Sequence, residues 1–175
     1  MLRRIPRSFL FYGLVICFSL HNLEEVLTMP VFIAVNLARF PGPFQTVERW
    51  LAVSSAEIAL AVSLLVLLLI GVSIQAYRKG EHSFWQQIWN MAAALLLMNA
   101  ITHIVQGFYF LAYTPGLISA VLIELPVTCL VLAWLHSQDK VPIKRIVFWV
   151  VLGLPLEAVF SVAFILLSKL ILTLV

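Results

Sequence analysis

The sequence predicts an all-helical membrane protein, a polytopic transmembrane bundle of about five spans, and three observations carry that prediction. Of 175 residues, 63% are hydrophobic and 11% are charged, whereas soluble domains are about 25% charged. Five stretches reach the roughly 20 mainly apolar residues that a helix needs to cross a bilayer. The basic residues gather at the ends of those stretches. No polar stretch is long enough to fold alone, so a single membrane-embedded domain covering 1–175 is expected. The net charge of +3 comes from these flanks. It points to the lipid bilayer as the partner and not to nucleic acid.

The first span is expected at 8–27. Arg3, Arg4 and Arg7 precede it as they would in a signal peptide. The apolar run exceeds an h-region of about 7–15 residues and no A-x-A site follows, so a retained helix is expected. Pro30 is expected to end it. The following segment, 31–50, is too apolar for an ordinary loop. It carries Phe32, Ile33, Val35, Leu37, Phe40 and Phe44, with Pro41-Gly42-Pro43 as a break. It is expected to lie in the interface or to fold over the helix ends as a lid, and both placements stay open.

The remaining spans are expected at 51–76, 84–112, 116–136 and 146–172. Lys and Arg favour the cytoplasmic side. With the N-terminus inside, Arg3, Arg4, Arg7, Arg78, Lys79, Lys140, Lys144 and Arg145 are inner, and only Arg39, Arg49 and Lys169 are outer. The expectation is N-in, C-out, in a cytoplasmic (inner) membrane. Trp85, Trp89, Trp134 and Trp149 would then mark the inner interface, and Trp50, Tyr109 and Tyr113 the outer one. Cys17 and Cys129 lie in apolar runs and are expected to pack without a disulfide. Gly13, Gly71 and Gly153 are expected at helix contacts.

His21, Glu24 and Glu25 stand out against this background. An ionisable group costs roughly 2.5–3.5 kcal/mol at the centre of a spanning helix, and these three share one helical face at i, i+3, i+4. At about 1.5 Å per residue, His21 and Glu57 lie roughly 9 Å below the outer ends of their spans. His103 and Glu124 lie roughly 12–13 Å down. Asn99 is one turn deeper than His103 on the same face. Four helices thus bring ionisable groups to similar depth, the pattern of a site built inside a helix bundle. Glu157 lies near the middle of the fifth span and is expected to bond a neighbouring helix.

His21-Asn22-Leu23-Glu24-Glu25, followed by His103 and by Tyr113-Thr114-Pro115-Gly116, resembles the HXXEE-domain family of small integral membrane proteins. That family pairs the first motif with a second histidine and a Y-x-P-G motif, here in the same order. The resemblance implies that these residues form a site and implies no particular reaction.

Two histidines with several carboxylates suit zinc, or iron or manganese. The leading expectation is a metal-dependent hydrolase acting on a lipid or isoprenoid-like, apolar substrate, with its site toward the outer face. Its expected ligands are His21, Glu24, His103 and Glu124. Glu25 is the expected base, with His103, Glu57 and Tyr113 as further catalytic groups. A metal-free acid–base enzyme (an isomerase, a cyclase or a glutamate-type intramembrane protease) stands beside it. The third reading, from another class, is a proton or metal carrier or an accessory subunit. The polar residues stop midway, which disfavours transport by one chain and leaves an oligomer open.

Overall fold

The computed structural model of the chain describes every residue except Met1, Arg3, Arg4, Asp139 and Val175, and the side chains of 47–51 also lie outside it. The expected flanking roles of Arg3, Arg4, Arg49 and Trp50 therefore fall outside the described residues. The described residues form helices and connections, with no strand. The helices are α1 (Arg7–Asn36), α2 (Gly42–Leu51), α3 (Ser55–Lys79), α4 (Phe84–Phe110), α5 (Leu117–Ser119), α6 (Leu125–Ser137) and α7 (Ile143–Thr173). A π-helical turn, Ala120–Glu124, joins α5 to α6 and makes Leu117–Ser137 one continuous rod. Five helices are long and apolar enough to cross a membrane: α1, α3, α4, the α5–α6 rod and α7. The chain has the make-up of an integral membrane protein.

Local chemistry sets the boundaries. Ser54 and Glu57 form a reciprocal capping box at the start of α3, which satisfies two otherwise orphaned N–H groups. Ser83 accepts from the Gln86 N–H at the start of α4. Pro6 and Pro142 precede α1 and α7, where a fixed φ does no harm. Pro30 does not end the first helix as expected: α1 runs through it to Asn36. A proline removes one hydrogen bond, but the ladder resumes beyond it, and the Leu37 N–H still reaches the Ile33 carbonyl. Residues 31–36 of the expected interfacial segment are consequently helix. The rest is a 3-10 turn (Leu37–Arg39) and α2. Arg39 donates to the Phe110 carbonyl (2.6 Å) at the end of α4, and Phe40 packs edge-on against Phe110 at 4.9 Å.

Helix α4 is the spine, packed on α3, α6 and α7, while α1 packs on α3 and α6. The α1 N-terminal end is the better filled. Phe11 stacks on Trp89 at 4.0 Å, and Leu10, Leu14, Ala93 and Leu135 are buried around them. Trp89 and Trp134 are thus core residues and not interface residues as expected, because their faces of α4 and α6 point into the bundle. Arg7 donates to Gln86 (2.8 Å), which donates to Asn90 (2.7 Å). Of the glycines expected at helix contacts, only Gly153 is one, since a Cβ there would meet Met98 at 2.8 Å. Gly13 and Gly71 have open space beside them. Both cysteines are free; Cys17 is buried and Cys129 is exposed.

Candidate functional site

At the opposite end of the bundle from Arg7, α1 and α4 each present a buried histidine. His21 is fully enclosed and His103 nearly so. Their Nε2 atoms face each other at 3.2 Å, with ring centroids 4.6 Å apart. The other ring nitrogens are committed elsewhere. His103 Nδ1 lies 2.8 Å from the Pro115 carbonyl. A carbonyl can only accept, so Nδ1 carries the proton and Nε2 a lone pair. His21 Nδ1 lies 3.1 Å from Ser119 Oγ, whose own hydroxyl donates to the Gly116 carbonyl (3.2 Å). That assigns the His21 proton to Nδ1 as well, so two lone pairs converge.

The carboxylates divide into roles that differ from expectation. Glu25, one turn on from His21, closes the pair, with Oε1 3.3 Å from His103 Nε2 and Oε2 3.9 Å from His21 Nε2. Glu24, expected as a ligand, faces away. It accepts from Tyr113 Oη (2.7 Å), the Ser119 N–H (2.7 Å) and the Ile118 N–H (3.2 Å). Consecutive helical residues are about 100° apart, so Glu24 and Glu25 cannot both face the histidines. Glu124, also expected as a ligand, sits beside the other nitrogen of His21, with Oε2 3.5 Å from Nδ1. Asn99 Nδ2 donates to both Glu124 oxygens (3.3 Å each) and toward His21 Nε2 (3.0 Å). This amide orients both groups.

Two expected members are not in the cluster. Glu57 caps α3 and pairs with Lys169 at 3.0 Å. A carboxylate three residues into a helix start reaches back to the backbone first. Tyr113 gives its hydroxyl to Glu24. Burial, and beyond it Glu24, hold its phenol above the ordinary range. Glu157 accepts from Thr102 (3.3 Å), and its other oxygen is buried without a partner among the described residues. It lines, with Glu25 and Asn99, a cavity of about 340 Å³ between α1, α3, α4 and α7.

Sequence reasoning missed Ser119 and the direct part played by the Pro115–Gly116 backbone. The Pro-Gly pair does shape a turn, and it also touches both rings. A Cβ on Gly116 would stand 2.7 Å from His21 and 2.9 Å from His103. The available signal was that a helix start following Pro-Gly exposes free N–H groups, which the Glu pair of the first span could meet.

His21, Glu25 and His103 can each offer one atom such that all lie within 4.8 Å of one another, a spacing that could hold a metal ion. No curated protein and no solved structure matches the chain. Residues 12–131 match the family described as "protein of unknown function with HXXEE motif", a stretch that contains the histidines, Glu24, Glu25, Glu124 and the Tyr113–Gly116 turn. The chain belongs to this HXXEE family, with His21-Asn22-Leu23-Glu24-Glu25 as the motif itself.

Proposed function

We propose that the chain is a membrane-embedded enzyme, a metal-dependent hydrolase of a lipid or isoprenoid-like substrate, with His21, Glu25 and His103 as the ligands. One observation carries the metal: two imidazole lone pairs and a carboxylate converge at ligand spacing. Two ligand atoms on one tetrahedral zinc, each about 2.1 Å from it, stand about 3.4 Å apart. Here the two Nε2 atoms are 3.2 Å apart, Glu25 Oε1 is 3.3 Å from His103 and its Oε2 3.9 Å from His21, and one atom from each residue lies within 4.8 Å of the others. His21 Nε2 accepts from Asn99 at 3.0 Å, so an ion there would take the place of that amide hydrogen bond. Two histidines and one carboxylate suit zinc in hydrolases and also iron, with manganese a third occupant.

The ion would supply Lewis-acid activation of water. The protein's own groups set the rest. Pro115 and Ser119 hold each imidazole in the tautomer that frees Nε2, which also fixes the ring planes. Glu124 and Asn99 brace His21. Glu157, with a free oxygen at the same cavity as Glu25, is the group available to take and return a proton. The apolar walls admit a hydrocarbon substrate and exclude bulk water.

A metal-free acid–base enzyme is the second reading. A single proton shared between the two Nε2 atoms also satisfies a 3.2 Å separation. A carrier finds less support: between Asn90 and Asn99, α4 is Met91–Met98, with no ionisable group. Elemental analysis of the detergent-purified protein beside a His21→Ala/His103→Ala variant decides. Stoichiometric zinc, iron or manganese that is lost in the variant is the expected result. A folded wild-type protein that takes up no metal when supplied with it overturns the metal reading.

A further inference from the structure

The cavity beside the histidines is long, polar at one level only and, among the described residues, without a basic side chain in its lining. Its polar lining is confined to Asn22, Glu25, Asn99, Glu157 and Ser161. Asn22 has already given its amide to the Phe18 carbonyl. From that level apolar walls run two ways, past Met29 and Ile33 to Val53, and as a branch between α3 and α4 that reaches Val72 on one wall and Ile88 on the other. Asn99 to Ile88 is about three turns, roughly 16 Å. The volume lies within the usual range for small-molecule sites, about 300–1,000 Å³.

We propose that this cavity binds one uncharged amphiphile, a long-chain ester or alcohol. Its oxygen-bearing end lies at Glu25, Asn99 and Glu157, and its alkyl chain fills the branch to Ile88. The fate of the bound group rests on the reading of the histidine cluster as a reactive site; binding itself does not.

Charge selects the head group. Among the described residues no Lys or Arg lines the cavity, and two carboxyl side chains, Glu25 and Glu157, lie at its polar level. In the metal-free protein a phosphate or carboxylate there would lose its hydration with no cationic side chain to replace it. A hydroxyl or ester carbonyl needs only a donor and an acceptor. The unpartnered Glu157 oxygen can accept from a hydroxyl, and the Ser161 hydroxyl on the same lining can donate to an ester carbonyl. Shape selects the tail. A hydrocarbon chain gains little by leaving lipid for an apolar wall, so discrimination comes from the length and width of the branch. A space about 16 Å long takes an extended chain of about a dozen carbons.

Dodecanol with a terminal diazirine, presented to the protein in lipid nanodiscs, is the probe. Crosslinks are expected near Val72 and Ile88. On chelator-treated protein, methyl dodecanoate is expected to compete at least about tenfold better than dodecyl phosphate, because the latter then buries an unpaired charge. Ala92→Trp puts an indole into the branch and is expected to cut this labelling at least about fivefold, through steric exclusion. Its metal content should stay at the wild-type level. Crosslinks spread over outward residues such as Phe148 and Val151, or equal competition by dodecyl phosphate, overturn the proposal. Both are read on the wild-type protein, so misfolding of the variant cannot hide the answer. Metal content of the same preparation separates the two readings. Site-directed labelling without metal keeps this inference and removes the metal, and metal without such labelling does the reverse.

Discussion

Gly116→Ala is expected to dismantle the histidine pair while leaving the bundle folded. Gly116 has φ 78° and ψ −9°, a left-handed conformation that costs an L-residue about 1–2 kcal/mol. The added Cβ would stand 2.7 Å from His21 Cε1 and 2.9 Å from Cε1 and Nδ1 of His103. Carbon contacts are comfortable near about 3.5 Å, so each ring must retreat by roughly 0.6–0.8 Å. Neither ring has room: His103 is held by Pro115 at 2.8 Å and His21 is fully buried. Metal–ligand distances tolerate only about 0.2 Å. The expected outcome is a stability loss of about 2–4 kcal/mol together with loss of bound metal. Thermal unfolding in detergent and metal stoichiometry read it, against two controls. Gly80→Ala has φ 83° and open space; it bears backbone strain of about 1–3 kcal/mol and keeps its metal. Gly71→Ala lies mid-helix in open space and should be neutral or stabilising by up to about 1 kcal/mol. A Gly116→Ala protein as stable as Gly80→Ala, with its metal intact, refutes the reasoning.

Three further perturbations follow from the same contacts. Glu24→Gln turns an acceptor of three hydrogen bonds toward them as an amide, and should cost about 1–2 kcal/mol. The Tyr113 phenol, held high by burial and by Glu24, should then titrate at lower pH, with burial keeping part of the rise; an unchanged midpoint would contradict the contact. Glu157→Leu removes a buried oxygen that has no partner and should raise unfolding stability by about 1 kcal/mol, whereas a marked loss would mean that Glu157 is well satisfied. Glu81 bonds Lys140 at 2.7 Å, which holds its carboxyl below the usual range. Its contribution is present above the ordinary carboxylate value and is lost as pH falls through the depressed one. The pair is exposed, so Glu81→Gln should cost under about 1 kcal/mol at neutral pH and nothing below the Glu81 midpoint, as denaturation at the two pH values would reveal.

The all-helical class and the presence of five long apolar helices were legible because membrane chemistry imposes run length and composition directly. The residues that meet were mostly legible too: His21, Glu25, His103, Glu124 and Asn99 were each costly in an apolar helix, and cost marks a partner. What was not legible was rotation. The i, i+3, i+4 rule placed Glu24 and Glu25 on one face, but side chains one residue apart diverge, and only packing decides which points inward. Glu57 misled because a carboxylate near a helix start has a local use as a cap that competes with any distant one. Trp89 misled in the same way: an aromatic near a span end belongs at the interface only if its face meets lipid, and here Phe11 covers it.

The two motifs are best understood as halves of one joint. A helix start leaves N–H groups without an intrahelical partner, and Ile118 and Ser119 carry two of them. Glu24 from the first helix satisfies both, and Tyr113 adds a third bond to the same carboxylate. That clamp fixes α1 against the Pro115–Gly116 turn, and the turn in return supplies the carbonyl that orients His103 and the bare Cα that lets both rings approach. The double glutamate therefore does two jobs in sequence order: the first ties the helix to the turn, and the second faces the histidines. The π-helical turn at Ala120–Glu124 completes the joint. Its extra residue re-aims the chain by about 100° relative to an unbroken α-helix, so that Ser119 before it and Glu124 at its end both reach His21 Nδ1. A site held this tightly by backbone groups has its geometry set before any ligand arrives, which is the property a metal-binding or catalytic cluster needs.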